Sequence, residues 1–237
     1  MNIEPILMLP GMFCDTRVFS AQMTALGRDG LVAIAPTTGG ERVEEVASAI
    51  LSGAPQKFAL FGHGYGGVVA QEVLRRAPER VTRIALMGTT PLAETPQDAA
   101  DREVRIVAAR SGRFDDAIGA EIRITDLAVG PQRNDVFAKI SAMAKANGPD
   151  AYVRQARAMQ RRKDQQAVLR RIKQPALVIC GAEDGKTPVK RHEFMAELIP
   201  YARLEVIDGA GHMPMLEQPQ AVTSILQEWL RQPFVLR

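Results

Sequence analysis

Cysteine is scarce in this chain, and its scarcity excludes two classes of protein at once. Cys14 and Cys180 are the only two among 237 residues, which leaves no disulfide framework, and their separation matches no metal or redox spacing. No metal and no cofactor are expected. Long apolar runs are missing as well, so no segment is expected to span a bilayer. The opening Met1-Asn2-Ile3-Glu4-Pro5 lacks a basic stretch leading into an apolar one, and the expectation is a soluble, cytoplasmic protein. Charge of one sign is not in large excess, the formal net charge being +3. The basic clusters Arg161-Arg162-Lys163 and Arg170-Arg171-Ile172-Lys173 carry no interleaved aromatics. Nucleic acid is therefore not expected as a partner, and both clusters read as solvated helix faces. No internal repeat or low-complexity tract is present.

What the chain does have is a rhythm of short apolar runs. They recur at 6–9, 31–35, 58–61, 84–87, 177–180 and 204–207, each nearly continuous, as in strands buried on both faces of a parallel sheet. Helical spacings separate them at 18–26, 43–51, 68–76, 190–199 and 220–230. This alternation predicts an α/β fold with a doubly wound, mostly parallel sheet. It breaks between 96 and 174, where Ile106, Ile118, Val136, Ile140, Met143, Val153 and Met159 recur at helical spacing. The expectation is a core of residues 1–95 and 175–237 with a helical cap, 96–174, inserted over the sheet's carboxyl edge. Pro131, Gly148-Pro149 and Pro175 punctuate that insertion.

Ligands of open α/β sheets bind outside the carboxyl ends of the strands, so the residues after each run are the candidates. After the third comes Gly62-His63-Gly64-Tyr65-Gly66. A Gly-x-Ser-x-Gly turn between strand and helix displays a serine nucleophile on a strained backbone; Gly64 occupies that serine's place, without a hydroxyl. After the first run, Pro10-Gly11-Met12 makes a turn whose Met12 amide, with that of Tyr65, suits an oxyanion. The fifth run leads to Asp184 and the sixth to His212. Nucleophile position, acid and base thus follow one another in the order such sites require. Asp184 would orient the imidazole and His212 would move the proton.

Other residues compete less well. Asp208 ends a strand and suits a turn, Glu183 neighbours Asp184 as a substitute acid, and His192 starts a polar helix and reads as solvent-facing. His63 reads as packed beneath the turn. Cys14 has no basic neighbour in sequence and reads as a small buried hydrophobe. Asp15 suits a helix cap.

Assembled, Leu9-Pro10-Gly11-Met12-Phe13-Cys14-Asp15, the glycine turn, Gly181-Ala182-Glu183-Asp184 and Gly211 to Pro219 resemble the α/β-hydrolase family of the esterase and enol-lactonase type. The resemblance covers essentially the whole chain and implies hydrolysis of an ester, lactone or thioester. Two departures stand out. Pro36-Thr37-Thr38-Gly39-Gly40 replaces the Asp-x-x-Gly-x-Gly loop of many relatives, and Gly64 replaces the serine. Expected substrate-binding residues are Gly11, Met143, Met159 and Met213, with a small molecule as the partner.

Three readings of Gly64 remain open at this point. The chain is a hydrolase impaired by loss of its nucleophile, or His212 and Asp184 activate water or a substrate proton without it, or the site binds a ligand and converts nothing.

Overall fold

A computed structural model of the chain describes residues 3–233. Among these, six strands form one parallel sheet in the order β2-β1-β3-β4-β5-β6. They are β1 Ile3–Leu9, β2 Gly30–Ile34, β3 Phe58–His63, β4 Val81–Met87, β5 Ala176–Gly181 and β6 Arg203–Ile207. Each of the six apolar runs falls on one of them, the second reaching one residue past β2. The inner strands β3 and β5 are buried along their whole length, as a sheet covered on both faces requires. The edge strands β2 and β6 are mostly half-buried instead, because each pairs on one side only.

Between the strands run α1 Ser20–Leu26, α2 Val43–Gly53, α3 Tyr65–Arg76 and α9 Val189–Leu198; α11 Pro219–Arg231 closes the fold. Helix α1 packs with α11 and α2 with α3, giving helical cover on both faces. Trp229 of α11 is fully buried, as are Phe58, Leu60 and Phe61 of β3, each such side chain contributing about 1.5–3 kcal/mol on leaving water.

From β4 to β5 the chain forms only helices: α4 Pro96–Arg110, α5 Phe114–Glu121, α6 Arg133–Asn147, α7 Pro149–Gln160 and the short α8 Gln166–Leu169. The start of α4 is written in Thr95-Pro96-Gln97-Asp98. Thr95 accepts from the Asp98 amide at 3.1 Å, and Pro96 sits where a missing N–H goes unnoticed. Another short helix, α10 Pro214–Glu217, precedes α11.

Strand order reverses direction between β1 and β3. Chain leaving these two neighbours turns to opposite sides, which opens a crevice at their carboxyl ends. The Gly11 turn and the Gly64 turn both begin there, since Leu9 pairs with Gly62.

Candidate active site

Residue 64 is the pivot between β3 and α3. Its φ of 52° and ψ of −119° lie in a region that disfavours a side chain, and glycine relieves that strain. The turn is fixed on both sides: the Gly64 amide donates to Met87 O at 2.9 Å, and Thr89 Oγ1 donates to Gly64 O at 2.7 Å. Close packing of α3 depends on Gly66, where a Cβ would lie 2.1 Å from Leu9 O.

Asp184, after β5, and His212, after β6, are both buried, 5% and 4% exposed. His212 Nδ1 lies 3.0 Å from Asp184 Oδ2. The other carboxylate oxygen accepts the Lys186 and Thr187 amides at 2.9 and 2.8 Å, and Thr187 Oγ1 donates to Oδ2 at 2.7 Å. Burial opposes ionisation of Asp184, but the charge and hydrogen bond of His212, with those Thr187 contacts, hold its carboxyl well below the usual range. With Nδ1 engaged by an anion, Nε2 is the face of the ring left for chemistry. A Cβ built at Gly64 would lie 3.9 Å from that Nε2, 3.7 Å from Gly11 Cα and 3.9 Å from Gly88 O. These are ordinary contacts; the glycine is surrounded by room for a β-carbon.

Met12, Gly64, Tyr65, Met159 and His212 line one cavity of about 70 Å³. Tyr65 supplies the first amide of α3, one of the four without an intrahelical acceptor. Gly11 adjoins the same space through its Cα. The structure places the other two expected contacts elsewhere. Met143 lines a second cavity of about 420 Å³ with Met215 and Pro219, and Met213 is fully buried and does not line the Gly64 cavity.

Two further expectations are corrected by burial. His192 is not solvent-facing: it is wholly buried on the inner side of α9 with Met195. Arg162 is not on a solvated helix face; its side chain is 7% exposed and bonded to Glu94 at 2.9 Å. The remaining competitors take structural places. Glu183 accepts the Val129 amide at 3.0 Å, Asp15 caps the 3-10 turn Thr16–Phe19 through the Arg17 amide, and burial, reinforced by Asp15, pushes the Cys14 thiol up to about 12. His63 is buried under the turn, 2% exposed. Its Nε2 contacts His212 O at 2.9 Å, and burial, with repulsion from His212, pushes its pKa down to about 3.

Sequence reasoning missed Glu217. One of its oxygens accepts the Ala128 amide at 2.7 Å; the other accepts the Gly211 and Met213 amides, both at 2.9 Å. It therefore clamps the His212 loop from either side and ties it to the segment before α6. The only signal was an acid within the Gly211 to Pro219 stretch. Among the described residues no cluster of His, Cys, Asp and Glu is placed to hold a metal, and no helix is long and apolar enough to cross a membrane.

Known proteins share this arrangement of elements. A pimeloyl-(acyl-carrier protein) methyl ester esterase of Aromatoleum aromaticum is 28% identical over 98% of this chain and all of its own length. An esterase from Thermogutta terrifontis superposes with a TM-score of 0.86 at 27% identity, over 96% of this chain and 89% of that one. The enol-lactonase from Burkholderia xenovorans LB400 also reaches 0.86, at 21% identity, over 98% and 93%, a likeness of fold. A model of the alpha/beta hydrolase family matches residues 6–225, and the chain belongs to that family.

Proposed function

We propose that this chain carries the site of a carboxylic ester hydrolase whose nucleophile position is Gly64. In this reading Asp184 orients the imidazole of His212 and stabilises its cation, and His212 Nε2 is the proton carrier. The amides of Met12 and Tyr65 receive the oxyanion, and residues 96–174 form the cap over the cavity. The observation that carries the proposal is the Cβ-sized space at Gly64, 3.9 Å from His212 Nε2. An Oγ one bond further out falls within the reach needed for proton transfer, about 2.6–3.2 Å.

Similarity to enzymes that act on methyl esters supports an ester as the substrate class. A cavity of about 70 Å³, far below the roughly 300–1,000 Å³ of drug-sized sites, favours a small acyl group. As it stands, the protein binds such an ester and turns it over slowly. Loss of a serine nucleophile costs about 10⁶ in kcat and leaves roughly 10³–10⁴ over water from the oxyanion donors and binding. Cytoplasmic residence is part of the same proposal and rests on two buried free thiols. Installing the hydroxyl tests it: Gly64→Ser acquires esterase activity and reactivity to a fluorophosphonate, and a folded variant inert to both refutes it.

A second reading rests on the same space. A cavity of this size holds water within reach of His212 Nε2, which would serve as general base without a covalent step. It requires that the unaltered protein hydrolyse esters and that His212→Ala abolish this activity. Turnover insensitive to His212→Ala, or none at all over a panel of esters and lactones, rejects it.

A further inference from the structure

Part of the wall of the Gly64 cavity is charged. Arg102 from α4, Glu121 from α5 and Lys186 from the Asp184 loop all line it. Behind them, buried ion pairs join α4, α5 and the turn after α7. Arg102 binds Glu94 at 2.7 Å and Glu121 at 3.0 Å; Arg162 binds Glu94; Arg105 and Lys186 bind Glu121 at 3.1 and 2.8 Å. The Tyr152 hydroxyl donates to Glu121 at 3.3 Å.

Four cations share two carboxylates in this cluster, and both carboxylates are nearly wholly buried, 2% and 3% exposed. Three further acids lie around the cluster. Glu103 pairs with Arg157, the exposed Asp98 holds Thr95 and acts on Arg162, and Asp184 is balanced only while His212 carries a proton. Of the acidic and basic side chains that line the cavity itself, Arg102 and Lys186 are cations and Glu121 is the carboxylate, an excess of one positive charge. Arg102 is 7% exposed, so water screens it poorly and an anion beside it in the cavity is favoured. The cluster reaches the cavity through these three side chains, two of them cations. Arg102 Nη1 lies 4.0 Å from Met12 Sδ, beside the proposed oxyanion turn, and the partly exposed Lys186 side chain supplies an ammonium.

We propose that this wall is an anion subsite, so that the preferred ester carries a carboxylate on its acyl group, received by Arg102 and Lys186 while its carbonyl lies at Gly64. The inference rests on the hydrolase reading for the orientation of the ester but not for the binding of the anion. A hydrophobic wall would fit the small cavity equally well. A wall with one excess cation is matched when the ligand supplies the missing sign.

Two measurements test it together. Monomethyl succinate and methyl levulinate have the same chain length and shape, and only the first is an anion. For Gly64→Ser, kcat/KM should favour monomethyl succinate by at least about tenfold, chiefly through KM, and Lys186→Met should cut that preference severalfold. For the unaltered protein, calorimetry should detect monomethyl succinate binding that weakens between 50 and 500 mM salt, with methyl levulinate at least about tenfold weaker. Equal hydrolysis and equal binding of the two esters overturn the subsite and leave the hydrolase reading intact. Selective binding of the anion with no hydrolysis by folded Gly64→Ser upholds the subsite and overturns the hydrolase reading. Failure of both esters in both assays overturns both.

Discussion

Replacing Gly64 by serine is the most informative single change, because two opposed consequences are calculable from one turn. The added Cβ meets no atom closer than 3.7 Å, so sterics cost little. The backbone is different. At φ 52° and ψ −119° a residue with a side chain carries about 1–3 kcal/mol of strain. In a chain of this size each kcal/mol moves Tm by about 2–4 °C, so Gly64→Ser should melt roughly 2–12 °C lower. Against that loss stands the hydroxyl, within reach of His212 Nε2. Restoring a nucleophile to an otherwise complete site is expected to raise kcat by up to about 10⁶, or about 8 kcal/mol of barrier at 1.36 kcal/mol per decade. The assay is p-nitrophenyl acetate hydrolysis beside fluorophosphonate labelling mapped to residue 64 by peptide mass spectrometry. A melting temperature that fails to fall refutes the strain argument. A cooperatively folded variant without hydrolysis or label refutes the assignment of the site.

In the Gly64→Ser background, Asp184→Asn should lower kcat about 10⁴-fold through the wrong imidazole tautomer, measured by the same hydrolysis; a loss below tenfold removes Asp184 as the orienting acid. His63 is held neutral, its pKa pushed from 6.5 to about 3 mainly by burial. The unfolded chain therefore binds a proton that the folded one refuses, and stability should fall by about 1.4 kcal/mol per pH unit as pH drops from 6.5 towards 3. Urea melts of His63→Asn across that window should show a slope shallower by this amount; parallel slopes contradict it. Glu217→Ala strands three buried amides at about 1–3 kcal/mol each, so a loss of at least about 3 kcal/mol is expected in urea unfolding. In the Gly64→Ser background it should also depress activity, through a released His212 loop; stability unchanged within 1 kcal/mol disposes of the clamp.

Much of the architecture was readable in one dimension. Six apolar runs, separated by helical spacings, named the six strands of a parallel sheet, because a strand buried on both faces must be apolar at every position. The loops holding Gly64, Asp184 and His212 could be assigned to one sheet edge, since parallel strands end on the same side. Their mutual distances could not. That Nδ1 lies 3.0 Å from a carboxylate depends on crossover hand and strand order, which apolar spacing does not encode.

The helices between β4 and β5 mark where one-dimensional reading stops. Helical spacing tells which residues share a face but not what that face meets, so Met159 lines the Gly64 cavity while Met143, equally periodic, lines a different one. Charge misleads for the same reason: Arg162 and His192 sit in polar stretches yet are buried, because Glu94 and the packing of α9 reach them from elsewhere in the chain. Glu217 has no local signature beyond lying in the Gly211 to Pro219 stretch, and the Arg102–Glu121–Lys186 wall has none. Order along the chain followed from local preference and hydrophobic period; the partners of each buried charge were set by long-range packing, where desolvation is repaid only by groups that folding brings alongside.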